Sequence, residues 1–110
     1  MLGIEGRRSS RVVLRIGILI EEPPPACPGR TAVVNRHGAL VLSPRSYELG
    51  TSLRLRNLES GERVACRVVW TGGQDETSSH KLGVEFSEER PDFWGRDYES
   101  AILAEENDAG

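Results

Sequence analysis

From Val12 to Ile20 the chain alternates: Val12, Leu14, Ile16, Ile18 and Ile20 take every second position, and Arg15, Gly17 and Glu21 fall on the other side. A repeat of two lines up side chains on one face of an extended strand, whereas a helix would scatter them around its circumference. The chain therefore enters its fold as a strand with one buried face. The same pattern returns further along. Leu53 and Leu55 alternate with Arg54 and Arg56, Val64, Cys66, Val68 and Trp70 alternate with Arg63, Ala65 and Arg67, and Leu82, Val84 and Phe86 form a last strand. Between these lies a strand of about Arg30 to Asn35, interrupted at Arg36-His37-Gly38 and resumed as Ala39-Leu40-Val41-Leu42. Short antiparallel strands in that number would leave unpaired edges in an open sheet, and closure into a barrel removes them.

The connections agree with that reading. Glu22 to Gly29, with three consecutive prolines, predicts an irregular extended loop, because proline cannot donate to a ladder. Glu59-Ser60-Gly61-Glu62 predicts a hairpin turn, Gly50 and Ser43-Pro44-Arg45-Ser46 mark further turns, and Gly72 to His80 reads as a polar loop. At the C-terminus the period changes. Pro91-Asp92 is a helix start, and Trp94, Tyr98, Ala101 and Ile102 recur at helical spacing, which predicts a helix from about Pro91 to Ala104. The expected fold is all-β with a terminal helix: one six-stranded antiparallel β-barrel closed by a C-terminal α-helix. Within the 110 residues the reading divides into an arm over 1–10, the barrel and helix over 11–104, and a frayed acidic tail over 105–110. Val12, Leu14, Ile16, Ile18, Val64, Cys66, Val68, Leu82, Val84 and Phe86 are the expected buried face, and Trp70, Phe86, Phe93 and Trp94 read as core or helix-docking residues.

Charge and composition remove several function classes. The chain carries 14 Lys+Arg against 17 Asp+Glu, a net charge of -3, so as a whole it is no basic nucleic-acid binder. Its charges are segregated, with Arg7, Arg8, Arg11 and Arg15 at the front and Glu99, Glu105, Glu106 and Asp108 at the back. A barrel that binds single-stranded DNA or RNA needs aromatics interleaved with basic residues on a strand face, and aromatics are only 5% here. No apolar run approaches the ~20 residues of a membrane span, and no signal-peptide pattern opens the chain. Cys27 and Cys66 are far apart without CxxC spacing, and His80 has no metal-like neighbours, so reduced thiols, no metal and a cytoplasmic location are expected. No nucleophile, base and acid order, paired catalytic carboxylates or phosphate-cradling loop is recognisable, which predicts a non-enzymatic module.

Two motifs remain. Arg7-Arg8-Ser9-Ser10-Arg11 is a basic arm running straight into the first strand, and Val33-Val34-Asn35-Arg36-His37-Gly38-Ala39-Leu40 is a strand that breaks at a polar turn with a glycine. Arginine presents a planar five-donor fork that can chelate guanine O6 and N7, pair with a phosphate or stack on a purine. Several arginines on an arm that orders on binding can envelop a compact anionic ligand. Together the motifs resemble those of the PilZ domain, a bacterial receptor for the second messenger cyclic di-GMP, from about Arg7 to at least Phe86. The family pattern is Arg-x-x-x-Arg before the first strand, then Asp/Asn-x-Ser-x-x-Gly at the end of the second. Arg7 and Arg11 match the first. Gly38 with Ala39-Leu40-Val41 matches the end of the second, while Val33 stands at the acid or amide position and Asn35 at the serine. Leu82-Gly83-Val84-Glu85-Phe86 is similar to the family's last barrel strand.

The resemblance implies a split barrel that binds cyclic di-GMP noncovalently, without cofactor or metal. The implied ligand residues are Arg7, Arg8, Arg11, Asn35, Arg36 and Gly38. Implied partners are the nucleotide and an effector protein, with no DNA, RNA or membrane insertion, and a monomer or weak dimer as the assembly. The alternative is a ligand-blind PilZ-like adaptor that binds a protein partner, since valine cannot accept the guanine N1 and N2 hydrogens that an acid or amide would take.

Overall fold

In the computed structural model, residues 11–90, 92–95 and 98 are described. Their strands are β1 (Val12–Val13), β2 (Gly17–Glu22), β3 (Cys27–Asn35), β4 (Gly38–Ser43), β5 (Ser52–Asn57), β6 (Arg63–Gln74) and β7 (His80–Phe86). Every pairing is antiparallel, and the ring runs β3-β2-β5-β6-β7-β4 before β4 returns to β3. Six strands thus close a barrel. β1 is a short piece that pairs with β3 beyond the end of β2.

The first alternating run keeps its faces but not its continuity. Ile16, Ile18 and Ile20 are buried, while Val12 and Leu14 are half-buried and pack against the core. The break between β1 and β2 is made by Thr31 on β3. Its hydroxyl accepts from the Ile16 amide at 2.9 Å and donates to the Leu14 carbonyl, and its own amide donates to the Ile16 carbonyl at 3.0 Å. A side chain has entered the ladder, and β3 shifts register between Thr31 and Val33. A buried threonine hydroxyl satisfied from both sides is stable there, because every polar atom has a partner.

The proline-rich connection is shorter than its composition suggests. Cys27, Pro28 and Gly29 belong to β3, opposite Ile20, Leu19 and Ile18, so the irregular stretch is confined to 23–26. β4 joins β3 only from Arg30 onward, so Pro28 sits where one side of the strand is still free. That is where a strand tolerates a missing donor. The β5–β6 hairpin falls where expected. Gly61 turns it with φ of +83° and donates its amide to the Asn57 carbonyl at 2.7 Å.

β6 departs from the expected pattern at its far end. Val64, Cys66 and Val68 are buried, but Val68 pairs with Val84 and Trp70 with the adjacent Gly83, so β6 carries one extra residue between them. Such a bulge rotates the strand by one side chain. Trp70 therefore emerges on the outer face, 50% exposed, and is not a core residue. β6 also continues through Gly72 and Gly73 to Gln74, which reduces the polar loop to a turn. There the Asp75 carboxylate accepts from the Thr77 and Ser79 amides at 2.8 and 2.9 Å and from the Thr77 hydroxyl at 2.7 Å. Those bonds favour the charged form and hold Asp75 below its usual pKa.

The core joins the inner faces of the strands to Phe93, Trp94 and Tyr98. Phe93 meets Trp94 edge-on at 4.8 Å between ring centroids, and half-buried Phe86 meets Phe93 edge-on at 5.4 Å. Both cysteines are free and buried, and burial pushes the Cys66 thiol up to about 12. The helix expected from Pro91 does not start there: residues 92–94 form a turn that ends at Gly95 with φ of +87°, and the rest of the expected span to Ala104 lies mostly outside the described residues, as do the arm over 1–10 and the tail over 105–110. Among the described residues no helix is long and apolar enough to cross a membrane.

Candidate functional site

The β3–β4 turn builds one end of the barrel, and three hydrogen bonds and one close strand approach fix it. The Asn35 side-chain oxygen accepts from the His37 amide at 2.7 Å. The His37 carbonyl accepts from the Phe86 amide at 2.7 Å, and the Asn35 carbonyl accepts from the Trp94 indole at 2.8 Å. Gly38 follows at the start of β4, directly beneath β7. A Cβ there would fall on the Val84 carbonyl oxygen, so only glycine lets the two strands approach. Gly38 is needed for close packing, with no positive φ involved. Arg36 and His37 project from this frame and are exposed.

Register brings the arm's attachment point to the same place. β1 pairs Val12 with Val34 and Val13 with Val33. Continued one step back from Val12, that register leads Arg11 toward Asn35. Val34 is fully buried, so its neighbours Val33 and Asn35 point outward, and residues opposite one another share a face. Arg11, Val13, Val33 and Asn35 thus form an outward-facing group, with Arg36 next to it. Of the sequence-predicted residues, the structure collects Arg11, Asn35 and Arg36 at this end and places Gly38 under β7 as a spacer. Arg7 and Arg8 lie outside the described residues.

The outer face continues around the barrel as an apolar row. Val13 lies opposite Val33, Val33 opposite Leu40, Leu40 opposite Gly83, and Gly83 opposite Trp70. Trp70 lies against the two glycines of its surroundings. A Cβ on Gly72 would collide with the indole, and one on Gly83 would come within 3.0 Å of the Trp70 Cβ. The indole is thus held flat by missing side chains and keeps half its surface open. Alternation alone placed Trp70 inside, so sequence reasoning missed it. The usable signal was the company of glycines in Trp70-Thr71-Gly72-Gly73 and Leu82-Gly83-Val84. Below the apolar row runs a polar one, in which Glu85 on β7 faces Arg67 on β6 at 3.8 Å.

On the other side of the turn, a cleft of about 420 Å³ is lined by Arg36, His37, Phe86, Ser87, Glu88, Glu89 and Arg90. Much of its charge is already engaged. Arg90 pairs with Glu62 at 3.0 Å and donates to the Arg63 carbonyl, and Glu88 accepts from the Ala65 amide at 3.0 Å. Arg36 and Glu89 have no ion pair among the described residues. Among these residues, too, no group of three or more His, Cys, Asp or Glu side chains could hold a metal ion.

A barrel of this topology, with Arg11 entering the first strand near a strand-end turn that requires glycine, has a family counterpart. The PilZ domain model matches residues 5–95. The chain belongs to the PilZ family. PilZ domains are a cyclic di-GMP receptor family, typically non-enzymatic binding modules. Among solved structures, Bacillus subtilis Inhibitor of motility (MotI/DgrA) is similar to this chain with a TM-score of 0.62 at 20% sequence identity. The likeness covers 76% of this chain and 43% of that one, so the chain spans less than half of that protein's length. At that identity it speaks for the fold. No curated protein matches the chain.

Proposed function

We propose that this PilZ domain is a bacterial, cytoplasmic receptor for cyclic di-GMP, and that the Arg7-x-x-x-Arg11 arm wraps the nucleotide against the outer wall of the barrel. The observation that carries the reading is the register of β1 on β3, which sets Arg11 beside Asn35 and Arg36. Arg7 and Arg11 contact phosphate and guanine, and Arg8 adds charge. Arg36 and the amide of Asn35 line the barrel side, and Gly38 holds the turn that presents them. Trp70, on the same outer face, offers an indole on which a base stacks, a contact worth ~1–3 kcal/mol. The domain works as a monomer or weak dimer and passes the signal to an effector protein.

The second reading is a ligand-blind adaptor that binds a protein partner. It draws on Val33 pointing outward where an acceptor would serve, and on the Asn35 oxygen already accepting from the His37 amide, which leaves it one lone pair. Loss of one good base-edge contact costs ~1–3 kcal/mol, one to two decades of affinity, which weakens a micromolar receptor without abolishing binding. Titration calorimetry with cyclic di-GMP separates the two. The receptor reading expects saturable binding that survives moderate salt and disappears in Arg11→Ala. Absence of heat up to ~100 μM nucleotide, about -5.5 kcal/mol, rejects it in favour of the adaptor.

A further inference from the structure

Of the five large apolar side chains exposed among the described residues, three stand at one corner of the barrel: Leu49, Val69 and Trp70. That corner is an open strand edge. Val68 donates to the Thr51 carbonyl at 2.9 Å and accepts from the Gly50 amide at 2.8 Å, and beyond it β6 outruns the cover of β5. The direction of those two bonds fixes the rest of the edge. Val68 lies opposite Val84 yet turns its N–H and C=O away from β7, so Val84, and with it Leu82 two residues back, are non-bonded positions toward β6. Thr71, opposite Leu82, therefore also sends its main-chain donor and acceptor outward, where no strand pairs with it among the described residues. Such an edge is normally blunted by lysine, other charges or proline. From Val68 to Gln74 it carries none of these. The bulge at Val69 and the register shift between Thr71 and Gln74 shorten the edge without closing it. The stretch is also complementary to itself. In an antiparallel pair centred on Thr71, that residue meets its own copy and the two close reciprocal N–H···O bonds. Trp70 then comes opposite Gly72 of the other copy, and Val69 opposite Gly73. Each indole already lies over its own Gly72, where a Cβ would collide with it. Aromatic against edge glycine is a favourable match, and here it occurs twice across one axis.

We infer that two copies of this chain pair edge to edge along β6, antiparallel about a two-fold axis at Thr71. A second copy suits the edge because the pairing sets no charge against a like charge and satisfies the Thr71 donor and acceptor together. The contact is isologous, so it closes at two. Its short span makes the dimer weak, with a dissociation constant on the order of 100 μM. The inference stands apart from the receptor reading, since it uses neither the arm nor the nucleotide. Sedimentation equilibrium on the full chain, from ~10 μM to ~1 mM, tests it. The average mass should rise from one chain toward two and no further. Thr71 is exposed, so Thr71→Lys and Thr71→Glu should each keep the wild-type circular dichroism while setting like charges against each other across the axis. Each alone should remain monomeric across the range, and an equimolar mixture of the two should regain the dimer. Val69→Lys, also exposed, charges the same edge and should likewise stay monomeric, which keeps the test open if a Thr71 variant does not fold. A wild-type chain that stays monomeric at ~1 mM or grows past two overturns the inference. So does a dimer that folded Thr71→Lys or Val69→Lys leaves intact, and so does a mixture of the folded charge variants that stays monomeric.

Discussion

Two asparagines in this barrel make the same local bond and end up with opposite roles. Asn57, at the end of β5, accepts from the Glu59 amide at 2.9 Å, as Asn35 at the end of β3 accepts from the His37 amide at 2.7 Å. Both use the side-chain oxygen to stabilise a turn two residues on, a habit of asparagine at strand ends. They differ in what the NH₂ group does. In Asn57 it donates to the Phe93 carbonyl at 2.8 Å, and the side chain is buried. In Asn35 it makes no hydrogen bond among the described residues, and the link to the C-terminal segment is made by the main-chain carbonyl, which takes the Trp94 indole. The segment around Phe93 and Trp94 is thus pinned at two turns. At one the asparagine side chain is used up in the pinning, and at the other the backbone does that work and the amide stays available. A turn can support a binding surface when its structural duties fall on the main chain.

The strongest way to break the Asn35 turn avoids asparagine altogether. In Gly38→Ala the new methyl meets the Val84 carbonyl, which is backbone and cannot rotate away, so β4 and β7 must separate. A loss of about 3 kcal/mol is expected from overpacking of this kind. Urea denaturation followed by far-UV circular dichroism measures it. A loss below about 1 kcal/mol would mean that β4 slides freely over β7, and that the glycine is there for some reason other than close approach.

Asn57→Ala comes next. It leaves the Phe93 carbonyl without its donor in a buried setting, and an unsatisfied buried group costs about 1–3 kcal/mol. About 2 kcal/mol of stability should be lost in the same denaturation experiment, with cyclic nucleotide binding unchanged where the fold persists. If Asn57→Ala instead proves as mild as an exposed turn substitution, water has replaced the amide, and the contrast between the two asparagines disappears.

Much of this was legible in the sequence, and the gaps have particular causes. Alternation found the inner faces of β2, β5, most of β6 and β7, because a half-buried strand needs it. It could not find Thr31 inserting its hydroxyl between Leu14 and Ile16, since a threonine in a strand looks the same whether or not it interrupts a neighbour. It misplaced Trp70 for a related reason: one bulge residue inverts every later side chain, and nothing in Val68-Val69-Trp70 announces the bulge. At the site, Gly38 stood out as a motif residue, but its duty, keeping clear of the Val84 carbonyl, depends on a strand more than forty positions away. Arg11 and Asn35 were singled out separately, and only pairing puts them side by side. The direction of the Asn35 amide is decided by a single backbone N–H, which no pattern of residue types records.

The smallest effect belongs to Asn35→Ala, and its smallness is what the comparison requires. The variant loses one exposed hydrogen bond to the His37 amide, which water can replace, so the expected cost is about 0.5–1 kcal/mol. The two main-chain bonds of the turn survive, because the Asn35 carbonyl still accepts from Trp94 and the His37 carbonyl still accepts from Phe86. Ligand affinity, in contrast, loses a donor at the wall of the site and should fall by about three- to tenfold, the worth of one modest hydrogen bond. Asn35→Asp sharpens the result. It keeps the bond to His37 but replaces the NH₂ by an oxygen, so stability should stay near wild type while the contact to a purine acceptor is lost. Should Asn35→Ala prove as destabilising as Asn57→Ala, the Asn35 side chain is itself a structural pin. The free amide would then have no special claim on the ligand.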